Sequence, residues 1–460
     1  SGSARVLSGL DGTELYEFNG DSAFDRFGWS VSGAGDVNDD GYDDGYDDLI
    51  VGALRDDNNG VASGSARVLS GLDGTELYEF DGDSAGDRFG DSVSGAGDVN
   101  DDGYDDLIVG APFDDNNGSL SGSARVLSGL DGSELYEFDG DSGGDDFGSS
   151  VSGAGDVNND GYDDLIVGAR MDDNTGFNSG SARVLSGLDG SELYEFNGDS
   201  ADWFGYSVSG AGDVNYDEYD DLIVGTPLDD NNGSLSGSAR VLSGLDGSEL
   251  YEFDGDITGD EFGYSVSGAG DVNNDGYDDL IVGAYLDDNN GTNSGSARVL
   301  SGLDGSELYE FNGDSAGDEF GYSVSGAGDV NDDGIADFIV GAGNGGLNDG
   351  GYARVFVSDG VDDPGDDLTD DLLERLAKGA AYSEWLVGDD VFLGGEDTGF
   401  DVGEVFLSPE DGFYALGLTS DLFGPVLVSR GTELDSRLDW LSDAAPDGVG
   451  YEQFVNNWQR

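Results

Sequence analysis

Asp98, Asn100, Asp102 and Asp106 occupy the first, third, fifth and ninth places of one short stretch, with Gly103 sixth and Tyr104 seventh. Alternating side chains of so tight a loop turn inward, and a glycine at the sixth place permits a sharp bend with positive φ. Three carboxylates, one amide and the backbone carbonyl of Tyr104, completed by a bidentate Asp or a water, supply the six to eight hard oxygens that calcium takes at about 2.3–2.6 Å. Magnesium is disfavoured, because its smaller, stiffer octahedral shell rarely accepts an all-protein cage. The same set recurs at Asp36, Asn38, Asp40, Tyr42 and Asp44; at Asp156, Asn158, Asp160, Tyr162 and Asp164; at Asp271, Asn273, Asp275, Tyr277 and Asp279; and at Asp329, Asn331, Asp333, Ile335 and Asp337. One copy departs: Asp213, Asn215, Asp217, Tyr219 and Asp221 surround Glu218 where the others have glycine. The bend should be strained there, leaving that site weak, empty or distorted. Five good Ca2+ loops and a doubtful sixth are therefore expected. They would act as structural staples, since a cation replaces the mutual repulsion of three carboxylates and links stability to free calcium.

The spacing resembles the first half of an EF-hand loop. Any one such string could be solvated acid in a chain with 101 Asp+Glu against 16 Lys+Arg and a formal net charge of -85. Six copies in register argue against that. The same charge excludes nucleic acid as a partner, because phosphate would be repelled. Disorder is the usual reading of such acidity, but 21 Tyr, 23 Phe and recurrent Leu-Ile-Val triplets can bury a core. Strong acidity on a foldable chain points to a protein built for concentrated salt, which screens self-repulsion, so a halophilic, archaeal source is expected. Cysteine and histidine are both absent. That excludes disulfides, thiolate or imidazole metal sites, and every triad that needs a histidine base. No apolar run reaches the length of a membrane span, and no signal peptide opens the sequence. Because Ser1 already lies inside a repeat, the sequence reads as an excerpt of a longer protein.

These loops must be positioned by a repeating scaffold. The phrase SGSARVLSGLDG, with small variations, begins at Ser1, Ser63, Ser121, Ser179, Ser236 and Ser294, with a degraded copy from Gly351. A second phrase, FG-x-S-V-S-GAGDVN, places its Phe at 27, 89, 147, 204, 262 and 320, so successive copies lie 62, 58, 57, 58 and 58 residues apart. The long first interval contains GYDDGYDD at residues 41–48, a four-residue duplication expected to enlarge one loop. In the second unit the β-like stretches are Phe89 to Ala96, Leu107 to Ala111, Ala124 to Ser128 and Glu134 to Phe138, separated by Gly, Asp and Asn turn signals. Leu107-Ile108-Val109 is apolar on both faces, as a strand between neighbouring sheets requires. Four strands per period of about sixty residues make one propeller blade.

Phe-Gly at the inner strand, GAGDVNDDGYDDLIVGA and the following GSARV resemble the FG-GAP repeats of integrin α-chain propellers and their prokaryotic relatives. The resemblance implies an all-β, integrin α-like β-propeller over residues 1–358, with six FG-GAP repeats and six or seven four-stranded blades. Ser1 to Asp25 carries two outer strands and no inner ones. It either completes the last blade by strand exchange or belongs to a seventh. The resemblance also implies an extracellular or cell-surface setting and an adhesion or ligand-binding role towards an unknown protein or cell-surface ligand. Loops such as Asp114 to Ser121 are short, acidic and nearly identical between blades, so no particular integrin partner is carried over.

Two serine strings, GDSGG at residues 140–144 and GDSAG at 82–86, match protease and hydrolase motifs but recur at one point of the repeat and are read as turns. The repeated arginines (Arg5, Arg67, Arg125, Arg183, Arg240, Arg298 and Arg354) are expected to pair with carboxylates between blades. Periodicity stops near Ser358, and residues 359–367 form an acidic linker. Residues 368–460 are expected to form a small α/β segment: a helix from Thr369 to Lys378, then a hairpin of Phe413 to Leu418 with Pro425 to Val428. SRGTELDSRLDWLSDA, which follows, resembles the start of class 3 lipase-like α/β hydrolases, in which the hydroxyl residue after the glycine helps form the oxyanion hole. That would map the role to Thr432, with Trp440 packing near the lid. No nucleophile, acid or histidine follows, so the chain is not expected to be an enzyme by itself. The alternative to a binding scaffold is the non-catalytic portion of a secreted lipase or esterase.

Overall fold

The computed structural model describes residues 2–9, 12–38, 46–345 and 351–358, together with the backbone of four strands between residues 390 and 430. The chain divides into two compact units, Ser1–Gly360 and Val361–Arg460. No helix occurs among the described residues. None therefore is long and apolar enough to cross a membrane.

The first unit is a six-bladed β-propeller built from the six repeats. In blade 2 the strands are Ser92–Gly97, Asp106–Ala111, Ser123–Leu127 and Glu134–Asp139, joined in sequence as an antiparallel sheet. Blades 1, 3, 4 and 5 repeat this four-stranded order. The sixth has three strands, Phe320–Gly328, Asp337–Ala342 and Tyr352–Phe356, among the described residues. Phe89 precedes its strand and instead makes a parallel bridge to Gly64 of the previous unit.

The second strand is buried along its whole length, and its two faces serve different neighbours. Leu107 and Val109 pack with Ile50, Ala66 and Val68 of blade 1, whereas Ile108 packs with Phe147, Leu165 and Val167 of blade 3. A period of two thus assigns alternate residues to alternate interfaces, and the core is a series of inter-blade layers rather than one central mass. The outer strand, ELYEF, exposes its two Glu and half-buries its Leu, Tyr and Phe. Its Tyr78 hydroxyl donates to the Gly129 carbonyl of the next blade at 2.8 Å, a link repeated from Tyr136 to Gly187 and from Tyr251 to Gly302. Five of the seven repeated arginines pair across blades as expected; Arg5 instead pairs with Glu14 and Glu17 of its own two-stranded sheet. Arg125 meets Asp83, Arg183 meets Asp141, and Arg298 meets Asp256, each at 3.4 Å. Each also lies over the phenylalanine of its own Phe-Gly pair, 3.9–4.2 Å from the ring centre.

The N-terminal strands Ser3–Leu7 and Glu14–Asn19 form a two-stranded sheet of their own rather than exchanging into blade 6. Gly9 abuts the Val330 backbone of blade 6 and Gly2 abuts the Phe27 backbone of blade 1, so this pair lies between the last repeat and the first. Its lack of inner strands shows in blade 1. Val31 is 60% exposed, while its counterpart Val93 is 4% exposed.

The second unit contains strands Asp390–Leu393, Glu396–Ser408, Phe413–Ser420 and Gly424–Arg430, paired consecutively and antiparallel. The expected hairpin is the last pair, with Leu416 opposite Val428. The expected helix from Thr369, as well as Thr432 and Trp440, lies outside the described residues.

Candidate metal loops

Each acidic loop joins the end of a blade's inner strand to the start of its second strand, so all are carried at one end of the strand ladder. In blade 2 the first-place carboxylate of Asp98 accepts the Asp102 amide at 3.0 Å and the Gly103 amide at 2.8 Å. Asp102 in turn accepts the Tyr104 amide at 3.1 Å. Blade 3 repeats the pattern with Asp156, Asp160 and Gly161, blade 5 with Asp271, Asp275 and Gly276, and blade 6 with Asp329, Asp333 and Gly334. The sixth-place glycines have φ of 89 to 92°.

The fourth loop keeps the same bonds despite Glu218: Asp213 accepts the Asp217 and Glu218 amides, both at 2.9 Å. The expected strain appears in the backbone instead, with Glu218 at φ 74°. The fourth place of every described loop is also left-handed, and there the fourth loop puts Tyr216 (φ 61°) where the others carry Asp101, Asn159, Asn274 or Asp332. Asp and Asn tolerate this region better than an aromatic does, so this loop is strained at two places. Glu218→Gly is expected to raise unfolding free energy by about 1 kcal/mol, the left-handed penalty less the extra unfolded-state entropy of glycine. Urea unfolding checks it, and an unchanged or lower midpoint would show that the strain is relieved elsewhere.

The ninth-place Asp lies at the base of the loop. Asp106 is fully buried and accepts the Val99 amide at 3.1 Å, the Asn100 side-chain amide at 3.2 Å and the Gly129 amide from the turn beyond the third strand at 3.0 Å. Burial pushes Asp106 up to about 7 against these hydrogen bonds, with repulsion from Asp102 and Asp98 adding to the rise. Asp164, Asp221 and Asp279 are likewise pushed up to about 7 by burial, and Asp337 is raised for the same reason.

In blade 1 the duplication changes the assignment. Asp48, four residues beyond Asp44, is the buried base: it accepts the Val37 and Gly71 amides and the Asn38 side chain at 3.0–3.2 Å. Asp40, Tyr42 and Asp44 lie outside the described residues. A further set of carboxylates, one residue before the base, was not singled out by the sequence. Asp105 accepts the Asp36 amide of the preceding loop at 2.8 Å, Asp163 that of Asp98 at 3.0 Å, and Asp220 that of Asp156 at 2.9 Å. These clamps tie the first three loops to the next blade. The only sequence signal is the first Asp of every Asp-Asp-Leu, replaced in blade 6 by Ala336.

Among the described residues no three acidic side chains close on a common point. The donor set nevertheless suits a hard cation. The buried Oδ1 atoms of Asn38 and Asn215, at the third place of their loops, have no hydrogen-bond partner. A buried oxygen with no protein donor beside further carboxylates is a position that a calcium ion would satisfy. The two serine motifs are turns: the Ser84 and Ser142 amides donate to Asp87 and Asp145, each at 2.7 Å.

The family model for the FG-GAP repeat matches residues 89–126, 147–185 and 262–300. These segments contain the inner strand, the acidic loop, the buried strand and the Ser-Ala-Arg-Val strand of blades 2, 3 and 5. The first unit is a β-propeller with FG-GAP repeats in blades 2, 3 and 5, similar to the propellers of integrin α chains. The chain is 33% identical over 218 residues to integrin alpha-5 of Xenopus laevis, covering 43% of this chain and 20% of that protein. It is 29% identical to integrin alpha-V of Gallus gallus, covering 41% and 19%, and 37% identical over 153 residues to integrin alpha-11 of Homo sapiens, covering 30% and 12%. The chain thus spans about a fifth or less of the length of these relatives. A solved structure of the computationally designed Ika8 protein aligns over 82% of this chain and 81% of that one with TM-score 0.39 and 14% identity, too loose a likeness to add to the fold read from the propeller's own strands.

Proposed function

We propose that this propeller is a calcium-stabilised, extracellular scaffold for adhesion or ligand binding, towards a protein or cell-surface ligand, in a halophilic setting. The observation that carries the reading is the pair of buried, partnerless third-place oxygens of Asn38 and Asn215, together with loops that repeat one hydrogen-bonding pattern over a buried Asp. Likeness to integrin α chains supports the binding role. The residues that would hold calcium are the first-, third- and fifth-place side chains, the seventh-place carbonyl and the buried Asp at the base, which in blade 1 is Asp48. Bound calcium supplies charge neutralisation and cross-linking of the loop.

Calorimetric titration of the chelator-stripped chain at constant high salt is expected to show several calcium equivalents bound, with magnesium much weaker. An absence of saturable heat at millimolar calcium would overturn the reading. A second reading draws on the strand Gly424–Arg430, which ends at Arg430 immediately before Gly431 and Thr432, as the lipase-like resemblance requires. On that reading the propeller is an appendage of a secreted lipase or esterase. Ester hydrolysis by the full-length protein would favour it, since this chain has no histidine for a triad.

A further inference from the structure

The repeats carry nearly the same residues along their strands, yet four places change in charge or ring character from unit to unit: the residue before Phe-Gly, the residue after it, and the two that follow the second strand. All four lie at the end of the inner strands opposite the metal loops. Every propeller arginine outside the Ser-Ala-Arg-Val positions falls there: Arg26, Arg55, Arg88 and Arg170. Arg26 and Arg55 lie close enough to Arg88 to act on its charge, and Arg170, Arg88 and Arg26 all act on Asp91. Arg170 pairs with the buried Asp146 at 3.1 Å, and Arg88 lies 4.0 Å over the Phe113 ring. In a chain of net charge -85, this is a local concentration of cations.

Arg170 also lies 5.7 Å over the ring of Tyr206, where the second half begins. Trp203 and Tyr206 stack within 4° of parallel, and Tyr206 meets Tyr264 at 4.8 Å. Tyr264 meets Tyr285 at 4.2 Å and Tyr322 at 5.1 Å. The rings are half-buried, with Tyr322 38% exposed, and Tyr285 donates to Glu261 at 3.0 Å. A connected aromatic shelf with hydroxyl tips and carboxylate acceptors, edged by guanidinium groups, combines the apolar area and convergent polar groups of a ligand site.

We propose that this crescent binds an acidic carbohydrate: pyranose rings lie on the tyrosine and tryptophan faces, uronate carboxylates pair with the arginines, and Glu261 and Asp91 accept from ring hydroxyls. An acidic peptide could use the arginines, but it offers few hydroxyl donors to those two carboxylates, whereas a sugar offers them on every unit. The inference rests on the binding-scaffold reading but not on calcium.

The test is titration of the full chain, at constant salt and calcium, with a galacturonate hexamer, a neutral maltohexaose and poly-glutamate. The hexuronate is expected to bind at least tenfold more tightly than maltohexaose, and Arg26→Ser/Arg55→Ser and Tyr322→Ser are each expected to weaken it about tenfold. Melting curves establish that the variants are folded, and Tyr264→Ser replaces Tyr322→Ser if that variant is not. Absence of saturable hexuronate binding overturns the proposal, as does binding unaffected by the variants, which would place the sugar elsewhere. Poly-glutamate competing as strongly as the hexuronate would assign the arginines to an acidic peptide and also overturn it. None of these failures alters the calcium titration, so the scaffold reading stands or falls separately.

Discussion

Stripped of calcium by chelator at fixed high salt, the propeller is expected to melt on the order of 5 °C higher near pH 5 than near pH 8, and restored calcium is expected to abolish the difference. Asp106, Asp164, Asp221 and Asp279 are pushed up to about 7 in the fold by burial, from an ordinary carboxylate value of about 3.9. Between those values the folded state holds more protons than the unfolded chain. Their contribution is therefore fully present at low pH and is lost as pH rises through about 7. Asp145 and Asp202, pushed up to about 6 by burial, act in the same direction. A cation beside the four base carboxylates favours their ionised forms and removes most of the slope. Salt must be held near 1 M, where the screening length is about 3 Å, because protonating so acidic a surface would otherwise also relieve general repulsion. Equal melting temperatures at the two pH values in chelator would refute the burial argument. A slope that calcium leaves untouched would separate the buried carboxyls from any metal.

The blades were legible because each repeat states its own strands: an apolar triplet that needs two covering neighbours, bounded by glycines and aspartates that turn the chain. The loops were legible for the same reason, down to the strained place at Glu218. What the sequence left open depended on three-dimensional closure. Spacing alone puts the base of the first loop at Asp44, but the GYDDGYDD duplication shifts it, and pairing of Leu49 with Leu69, which sets the strand, makes it Asp48. Asp105, Asp163 and Asp220 have partners some sixty residues away on the previous blade, an arrangement no local pattern can contain. Most of the residues of the arginine and aromatic crescent look like scattered variation along the chain. Their proximity follows from the ring bringing the same strand end of every blade to one face.

Asp106→Ala is expected to destabilise the chelator-treated chain near pH 5 by roughly 2–5 kcal/mol, and by less near pH 8. Asp106 brackets the blade: one oxygen holds the Val99 and Asn100 groups of the loop, and the other holds the Gly129 amide beyond the third strand. Truncation leaves these donors without an acceptor in a site with no water-exposed surface at Asp106, and each buried unsatisfied amide costs about 1–3 kcal/mol. Near pH 8 the wild-type carboxylate is ionised beside Asp98 and Asp102, so removing it also relieves repulsion and offsets part of the loss. With calcium present the penalty should grow again, because the variant loses a proposed ligand as well as the bracket. Urea unfolding at the two pH values, with and without calcium, resolves the three contributions. A loss that is the same in all conditions would reduce Asp106 to its hydrogen bonds alone, and a loss well below 2 kcal/mol near pH 5 would mean that the loop finds other acceptors. The other loop bases, Asp164, Asp221 and Asp279, accept the corresponding amides of Gly187, Gly244 and Gly302 at 3.0–3.1 Å. The same order of effects should therefore hold in each blade, with the fourth the least responsive to calcium because Glu218 and Tyr216 already strain its loop.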